Sequence, residues 1–217
     1  MLERISRQER LDLFIAWGAI SLAFAIIFIR DAGTRVVPFT ALIFIGVSFI
    51  TVGIGFVAHE MAHKFTAMKY GYWAEFRKDN TMLVVAVALA ALVGVVFAAP
   101  GATVIYDTGR FGGGGINREQ NGKISAAGPV TNLLLCIPFA GLLLYGGVSS
   151  NLSVTGNIAT LIGMIGLQVN AMIAAFNMLP VSVLDGRKVL AWNPVVFAIL
   201  IIAAFGVLLL SFYSNLL

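Results

Sequence analysis

Charged residues and cysteine are both scarce in this chain. Charged residues make up 11% of the 217 residues, whereas soluble domains carry about 25%. Hydrophobic residues make up 59% of the chain, which excludes an ordinary water-soluble domain. The single cysteine, Cys136, excludes an internal disulfide. It lies in an apolar run, so we expect it to be a small packed core residue.

Long apolar runs predict an all-α polytopic membrane protein, because a helix needs about 20 apolar residues to cross a bilayer. Five runs have spanning length, and they cover residues 11–29, 36–63, 124–148, 157–176 and 194–213. A further run, 81–99, is either re-entrant or spanning. We therefore expect a bundle of five to six transmembrane helices that forms a single membrane-embedded domain over residues 1–217.

The connections between these runs carry weaker signals. Residues 71–80 are polar and aromatic, which is typical of a segment at the membrane interface. Residues 102–106 (ATVIY) have strand character. We expect a re-entrant or β-containing segment around residues 81–123.

The chain contains two histidines, and both lie in the pentapeptide HEMAH at His59 and His63. Side chains four residues apart share one face of a helix, so the two imidazoles can bind one ion. Glu60 lies beside them and could take a proton from a bound water. A chance match to this short HExxH pattern is the alternative, but the match uses every histidine in the chain.

A zinc protease needs a third protein ligand and an open position. Without another histidine, the third ligand should be an Asp or a Glu. Asp185 stands apart because it follows a predicted span and the stretch Asn177–Met178–Leu179–Pro180. Spacing alone leaves metal ligation and a turn-forming Asp-Gly pair equally open.

Three motifs together resemble the site-2 protease family of intramembrane metalloproteases. HEMAH is similar to the family's HExxH motif. The stretch 128–132 is similar to its GPxxN element, and the stretch 177–186 is similar to its NxxPxxxLDG segment. The resemblance implies that one zinc ion is held by His59, His63 and Asp185. It also implies that Glu60 is the catalytic base.

The same resemblance suggests that Asn177 orients or hydrogen-bonds an extended substrate. Asn132 is a candidate for the same work, and a polar contact between packed helices is the alternative. The chain departs from the family at Ser182, where many members have proline, and in the interposed run 81–99. It shows no PDZ or CBS domain, which leaves regulation open.

The three proposed ligands restrict the topology, because His63 and Asp185 must emerge on the same side of the membrane. If residues 81–99 are re-entrant, the chain crosses the membrane twice between His63 and Asp185. If residues 81–99 span the membrane, it crosses three times. In the re-entrant form the 14 Lys and Arg residues divide as twelve on the HExxH side and two, Arg30 and Arg35, on the other. In the spanning form they divide as seven and seven. The excess of positive charge on one side favours the re-entrant form and a cytoplasmic N-terminus, with the active site near the cytoplasmic face.

The sequence therefore predicts an intramembrane zinc endopeptidase of the cell membrane that cleaves a transmembrane segment of another membrane protein, as in regulated intramembrane proteolysis. Its expected partners are that substrate and the lipid bilayer. The net charge of +4 suits anionic headgroups, and we expect no nucleic-acid partner. A metal-ion transporter and a non-catalytic scaffold that binds membrane helices are the alternatives.

Overall fold

The computed structural model describes residues 5–33, 37–96, 101–106, 115–146, 158–181 and 183–213. The elements in chain order are α1 (Arg7–Asp31), α2 (Pro38–Lys69), β1 (Trp73–Lys78), α3 (Asn80–Leu92), β2 (Gly101–Tyr106), α4 (Arg118–Gly146), α5 (Ile158–Asn177), α6 (Asp185–Trp192) and α7 (Pro194–Tyr213). In this part of the chain five helices, α1, α2, α4, α5 and α7, are long and apolar enough to cross a membrane. The predicted all-α polytopic membrane fold is confirmed.

The ends of the long helices follow local sequence rules. Helix α2 begins with Pro38, whose missing N–H costs nothing at a first helical position. It ends at Lys69, two residues before Gly71, which has a positive φ of 86°. Helix α7 begins with Pro194, and the Asn193 side chain accepts hydrogen bonds from two of its first backbone N–H groups. The predicted starts at residues 36 and 157 and the predicted end at 148 lie outside the described residues.

Helix α5 lies at the centre of the bundle, and small residues let α4 approach it closely. Of the five candidate spans α5 is the most buried, at 67%, and α7 the least, at 17%. A Cβ atom at Gly163 would lie 2.4 Å from the backbone nitrogen of Leu143 on α4. A Cβ atom at Gly166 would lie 2.2 Å from the Phe139 ring. These glycines therefore set a close α4–α5 contact, as small residues do between membrane helices.

Strands β1 and β2 form a two-stranded antiparallel sheet that fixes the path of the segment between them. Lys78 pairs with Gly101, and Trp73 pairs with Tyr106. Helix α3, between the strands, has 13 residues, or about 20 Å, which is shorter than the hydrocarbon core of about 30 Å. The chain leaves the sheet after Lys78 and is back beside it at Gly101. This is the path that the re-entrant alternative predicts, and the strand predicted at 102–106 is present.

The far end of α3 is held by the far end of α1. The Arg30 guanidinium donates hydrogen bonds to the carbonyl oxygens of Ala90 and Ala91, at 3.0 and 2.9 Å. The Ala90 carbonyl also accepts a hydrogen bond from the Gly94 N–H. The Arg30 cation at these C-terminal carbonyls complements the helix dipole. Helix α3 therefore runs beside α1, and its C-terminal end lies at the end of α1 remote from the Glu9–Lys64 contact.

Two features of the fold were not predicted. Residues 73–78 form strand β1, with Ala74 and Phe76 fully buried, where the sequence indicated an interfacial connection. Residues 185–192 form the short helix α6, in a segment whose proline and glycine residues did not predict a helix. The predicted single domain without PDZ or CBS modules stays a prediction, and Ser182 lies outside the described residues.

A buried ion pair joins α1, α2 and β1. The Lys64 ammonium lies 2.5 Å from Glu9 Oε2, and both side chains are fully buried. The other carboxylate oxygen of Glu9 accepts a hydrogen bond from the Phe76 backbone N–H at 3.1 Å. The ammonium also lies 5.3 Å from the Trp73 ring centroid, which is within cation–π range. The pair therefore anchors the sheet to the helix that carries the HExxH motif.

Removing one member of this pair should destabilise the protein more than removing both. Lys64→Met leaves an unpaired buried carboxylate, and we expect a loss of about 3 kcal/mol in the free energy of unfolding. The double variant E9Q/K64M leaves no buried charge and should lose less. Thermal unfolding in detergent, followed by circular dichroism, measures both. A double variant that is less stable than K64M would contradict this account of the pair.

Candidate metal centre

Helix α2 presents two imidazoles towards the same point. His59 and His63 are one turn apart, and their Nε2 atoms are 2.9 Å apart. Both side chains are buried. The spacing of four residues on a helix produces this approach, as the sequence predicts.

Helix α6 brings the Asp185 carboxylate to the same point. Asp185 Oδ2 lies 3.4 Å from His59 Nε2 and 3.1 Å from His63 Nε2. The next residue explains how α6 comes so close: a Cβ atom at Gly186 would lie 2.1 Å from the backbone oxygen of Met178. Only glycine allows α6 to pack on the chain that leaves α5, and this packing places Asp185 at the metal centre.

The three ligand atoms fit a zinc ion. Zinc binds imidazole nitrogen and carboxylate oxygen at about 2.0–2.1 Å, so neighbouring ligands in a tetrahedron are about 3.3 Å apart. The three observed separations, 2.9, 3.1 and 3.4 Å, lie around this value. Two histidines and one carboxylate leave a fourth position for water or substrate, as in catalytic rather than structural zinc sites.

The positive charge beside Asp185 favours its ionised carboxylate. Burial alone would raise the pKa of this carboxyl, but the charge of a protonated His63 and hydrogen bonds from His59 and His63 outweigh burial and hold this pKa below its ordinary value. A bound zinc ion would supply that positive charge in place of the imidazole proton. Lys188, one turn further along α6, places its ammonium 3.9 Å from the other oxygen, Oδ1. An ionised carboxylate is the form that binds a divalent cation.

The second nitrogen of each imidazole is held by a hydrogen-bond acceptor. Asn132 Oδ1 lies 2.6 Å from His59 Nδ1, and the carbonyl oxygen of Ile124 lies 2.7 Å from His63 Nδ1. Each Nδ1 must therefore carry a proton and donate it, which leaves each Nε2 lone pair for the metal. Both acceptors lie on α4, so α4 sets the orientation of both rings.

Asn132 is fully buried and uses its amide within the protein. Its Nδ2 donates to the Gly55 carbonyl at 3.1 Å and to Asn170 Oδ1 at 2.9 Å, and Asn170 Nδ2 donates to the Gly166 carbonyl at 2.8 Å. These contacts place Asn132 behind His59, as a polar contact between helices α2, α4 and α5. The suggested role of Asn132 in substrate binding stays a prediction, and these contacts do not contribute to it.

Gly128, one turn before Asn132, lies directly against the imidazoles. A Cβ atom there would lie 2.5 Å from His63 Nε2 and 2.6 Å from His59 Nε2. The GPxxN motif therefore has two physical functions on one face of α4. Its glycine admits the two rings, and its asparagine orients one of them.

Glu60 and Asn177 lie at the cleft beside the three ligands. Glu60 is buried, and its Oε2 accepts a hydrogen bond of 2.9 Å from the Thr103 hydroxyl on β2. Asn177 is half-buried at the end of α5, and its Nδ2 donates to the Ile173 carbonyl at 2.9 Å. The structure thus brings together every predicted site residue except Asn132 at one cleft, with Asn132 behind it.

The cleft beside the three ligands is open on one side and has walls from several elements. Its apolar wall includes Ile20 of α1, Phe56 of α2 and Ile173 of α5. Strand β2 lines another side, from Gly101 to Thr103 and at Ile105. A substrate at the metal centre would therefore contact the spanning helices and β2 together.

Sequence reasoning missed Thr103, Asn170 and Lys188. Asn170 could have been found, because a polar residue inside an apolar span calls for a partner. Lys188 is three residues after Asp185 and would have been found if α6 had been predicted as a helix. Nothing in the sequence pairs Thr103 with Glu60.

Gly128 and Gly141 on α4 provide a matched test of the close approach to the imidazoles. Gly128→Ala places a methyl group where the two Nε2 atoms lie, so we expect zinc affinity to fall on the order of 10-fold or more. A Cβ atom at Gly141 meets nothing within 4 Å, so Gly141→Ala should keep its zinc. Metal content after dialysis against graded chelator concentrations measures both. Equal zinc retention in the two variants would contradict the packing described.

Comparison with known proteins agrees with this metal centre. No protein-family model matches the chain, and no solved structure matches it. A protein of Methanocaldococcus jannaschii named "Putative zinc metalloprotease" is 37% identical to it over 206 residues, which cover 95% of each chain. Because this identity extends over nearly the whole of both chains, the chain belongs to the same family of zinc metalloproteases.

Proposed function

We propose that this metalloprotease is an intramembrane zinc endopeptidase of the site-2 protease type, which cleaves a transmembrane segment of another membrane protein. One observation carries the proposal. The two histidines and Glu60 belong to a helix of membrane-spanning length, and their cleft is walled by apolar residues of the spanning helices α1, α2 and α5. A substrate with an apolar, membrane-embedded segment is the kind of partner that suits such walls.

Glu60 is the proton-transfer group in this mechanism. Zinc bound by His59, His63 and Asp185 would polarise the scissile carbonyl and lower the pKa of water to about 7. Thr103 holds Glu60 Oε2, so Oε1 is the atom that accepts the proton of the attacking water. Glu60 then donates this proton to the leaving amine.

Strand β2 is suited to hold the substrate in an extended form. A transmembrane helix hides its carbonyl groups in its own hydrogen bonds, so it has to unwind locally before cleavage. One edge of β2 pairs with β1, and residues of β2 line the cleft. An unwound segment could pair with the other edge by strand addition. Asn177, also at the cleft, would hydrogen-bond the extended substrate backbone.

The proposed orientation places the N-terminus in the cytoplasm and the metal centre near the cytoplasmic face of the cell membrane. Gly101 lies beside Lys78, which supports a re-entrant path for the segment between them. On that path twelve Lys and Arg residues lie on the HExxH side and two on the other, as the positive-inside rule expects for a cytoplasmic HExxH side. The lipid bilayer contacts the exposed apolar side chains of α7, such as Ile202 and Leu209.

The alternatives fit the structure less well. A transporter would need further ligands along a path through the bilayer. Among the residues that the structure describes, His59, His63 and Asp185 form the one group of three metal-ligating side chains. A scaffold without catalysis would have no need for a buried carboxylate at Glu60.

Glu60→Gln separates these functions. The protease should keep its zinc and lose cleavage by about 100-fold or more, because the amide cannot accept the proton. Asp185→Ala should lose both zinc and cleavage. The assay uses purified protein in liposomes with a panel of single-span membrane proteins, and mass spectrometry locates the cut.

Glu119→Gln is the matched control, because Glu119 is exposed on α4, with 62% of its side chain accessible. It should cleave like the wild type. Cleavage by E60Q at the wild-type rate would reject the proposed mechanism. Cuts that lie only outside the substrates' transmembrane segments would reject the intramembrane assignment.

A further inference from the structure

We propose that Thr103 is a positioning residue for the catalytic base, and that the β1–β2 sheet sets the orientation of Glu60 through it. This inference rests on the proposed protease function. Its direct observation is the hydrogen bond of 2.9 Å from Thr103 Oγ1 to Glu60 Oε2. It assigns the re-entrant segment a role in the chemical step in addition to any role in substrate binding.

The hydroxyl of Thr103 points inward because of the strand alternation. Thr103 and Ile105 are half-buried and line the cleft, whereas Val104 and Tyr106 are exposed and do not line it; Ala102 is exposed and also lines the cleft. Successive side chains of a strand point to opposite faces, so a shift of one residue would replace Thr103 with an apolar neighbour. The contact to Glu60 therefore depends on the register of β2.

The register of β2 is fixed by β1. Thr103 pairs with Phe76, which is fully buried. The Phe76 ring packs edge-on against Phe56 of α2, with centroids 5.5 Å apart. The Phe76 N–H donates to Glu9, which also pairs with Lys64 of α2. The strand that holds Thr103 is thus itself held by α2.

Three residues of α2 that contact the sheet system are spaced by four. Phe56, Glu60 and Lys64 lie on one face of the helix, and they contact Phe76, Thr103 and Trp73 respectively. Glu60 is the middle member of this stripe, with an anchored contact one turn on either side. The sheet therefore cannot slide along α2 without breaking those contacts, and Thr103 stays opposite Glu60.

This restraint matters because Glu60 follows the metal ligand His59 directly. A carboxylate free to rotate so close to the metal centre could bind the metal itself or turn away from the attacking water. A donor on Oε2 restricts that rotation and leaves Oε1 as the proton acceptor. Hydrogen-bond partners of metal ligands typically contribute 10–100-fold to metal affinity or activity, and we expect the contact to Glu60 to contribute to catalysis by a similar factor.

The test compares Thr103→Val with Thr103→Ser. Valine keeps the shape and the strand preference but removes the hydroxyl, so kcat should fall about 10–100-fold. KM should stay within about 2-fold, and zinc content should not change, because the lost contact acts in the chemical step. Serine keeps the donor and should restore kcat to within about 3-fold of the wild type.

Thr51→Val is the matched control. Thr51 is fully buried, and its hydroxyl donates to the Val47 carbonyl within α2, away from Glu60, so its removal should leave kcat unchanged. Wild-type kcat in T103V would overturn the role of Thr103 while leaving the protease function intact. Equal losses in T103V and T103S, or loss of zinc in T103V, would also overturn it. A wild-type protein that cleaves no member of the substrate panel would instead overturn the proposed function, and this role with it.

Discussion

The joint approach of two imidazoles and one carboxylate is the constraint on which the rest of this structure depends. Buried ionisable groups in an apolar bundle are costly unless each has a partner. His59, His63 and Asp185 meet that cost together, and Asn132, the Ile124 carbonyl and Lys188 satisfy their remaining polar atoms. Helix α2 carries His59 and His63 near its C-terminal end, and α6 begins with Asp185. Because these residues meet at one point, the proposed topology has two crossings, α4 and α5, between them.

The proposed re-entrant path of residues 81–99 rests on the same constraint. If the chain from β1 to β2 crossed the bilayer completely, the parity of the crossings would place Asp185 on the wrong side. Instead Gly101 returns beside Lys78, and α3 is restrained at its far end by Arg30. A segment that enters the membrane and returns needs other parts of the protein to cover its polar backbone groups. Helix α1 and the sheet provide this cover.

The extent to which the sequence predicted this structure depends on how local each signal is. The spans, the HExxH face and the strand at 102–106 were predictable because hydrophobicity and spacing determine them over a few residues. Strand β1 was not, because WAEFRK is polar in composition and Phe76 is buried only through contacts with Phe56 and Glu9. The Glu9–Lys64 pair joins residues far apart in sequence, and neither residue alone indicates its partner.

Helix α2 divides its work between two adjacent faces. The face with His59 and His63 meets α4 and α6, which supply Gly128, Asn132 and the third ligand. The face with Phe56, Glu60 and Lys64 meets the sheet and the N-terminal end of α1. The proposed metal ligands and the proposed base are therefore held by different parts of the chain, although they are neighbours in sequence. Because the two sets of contacts do not share a side chain, a disturbance of the sheet can alter the base while leaving the three metal ligands in place.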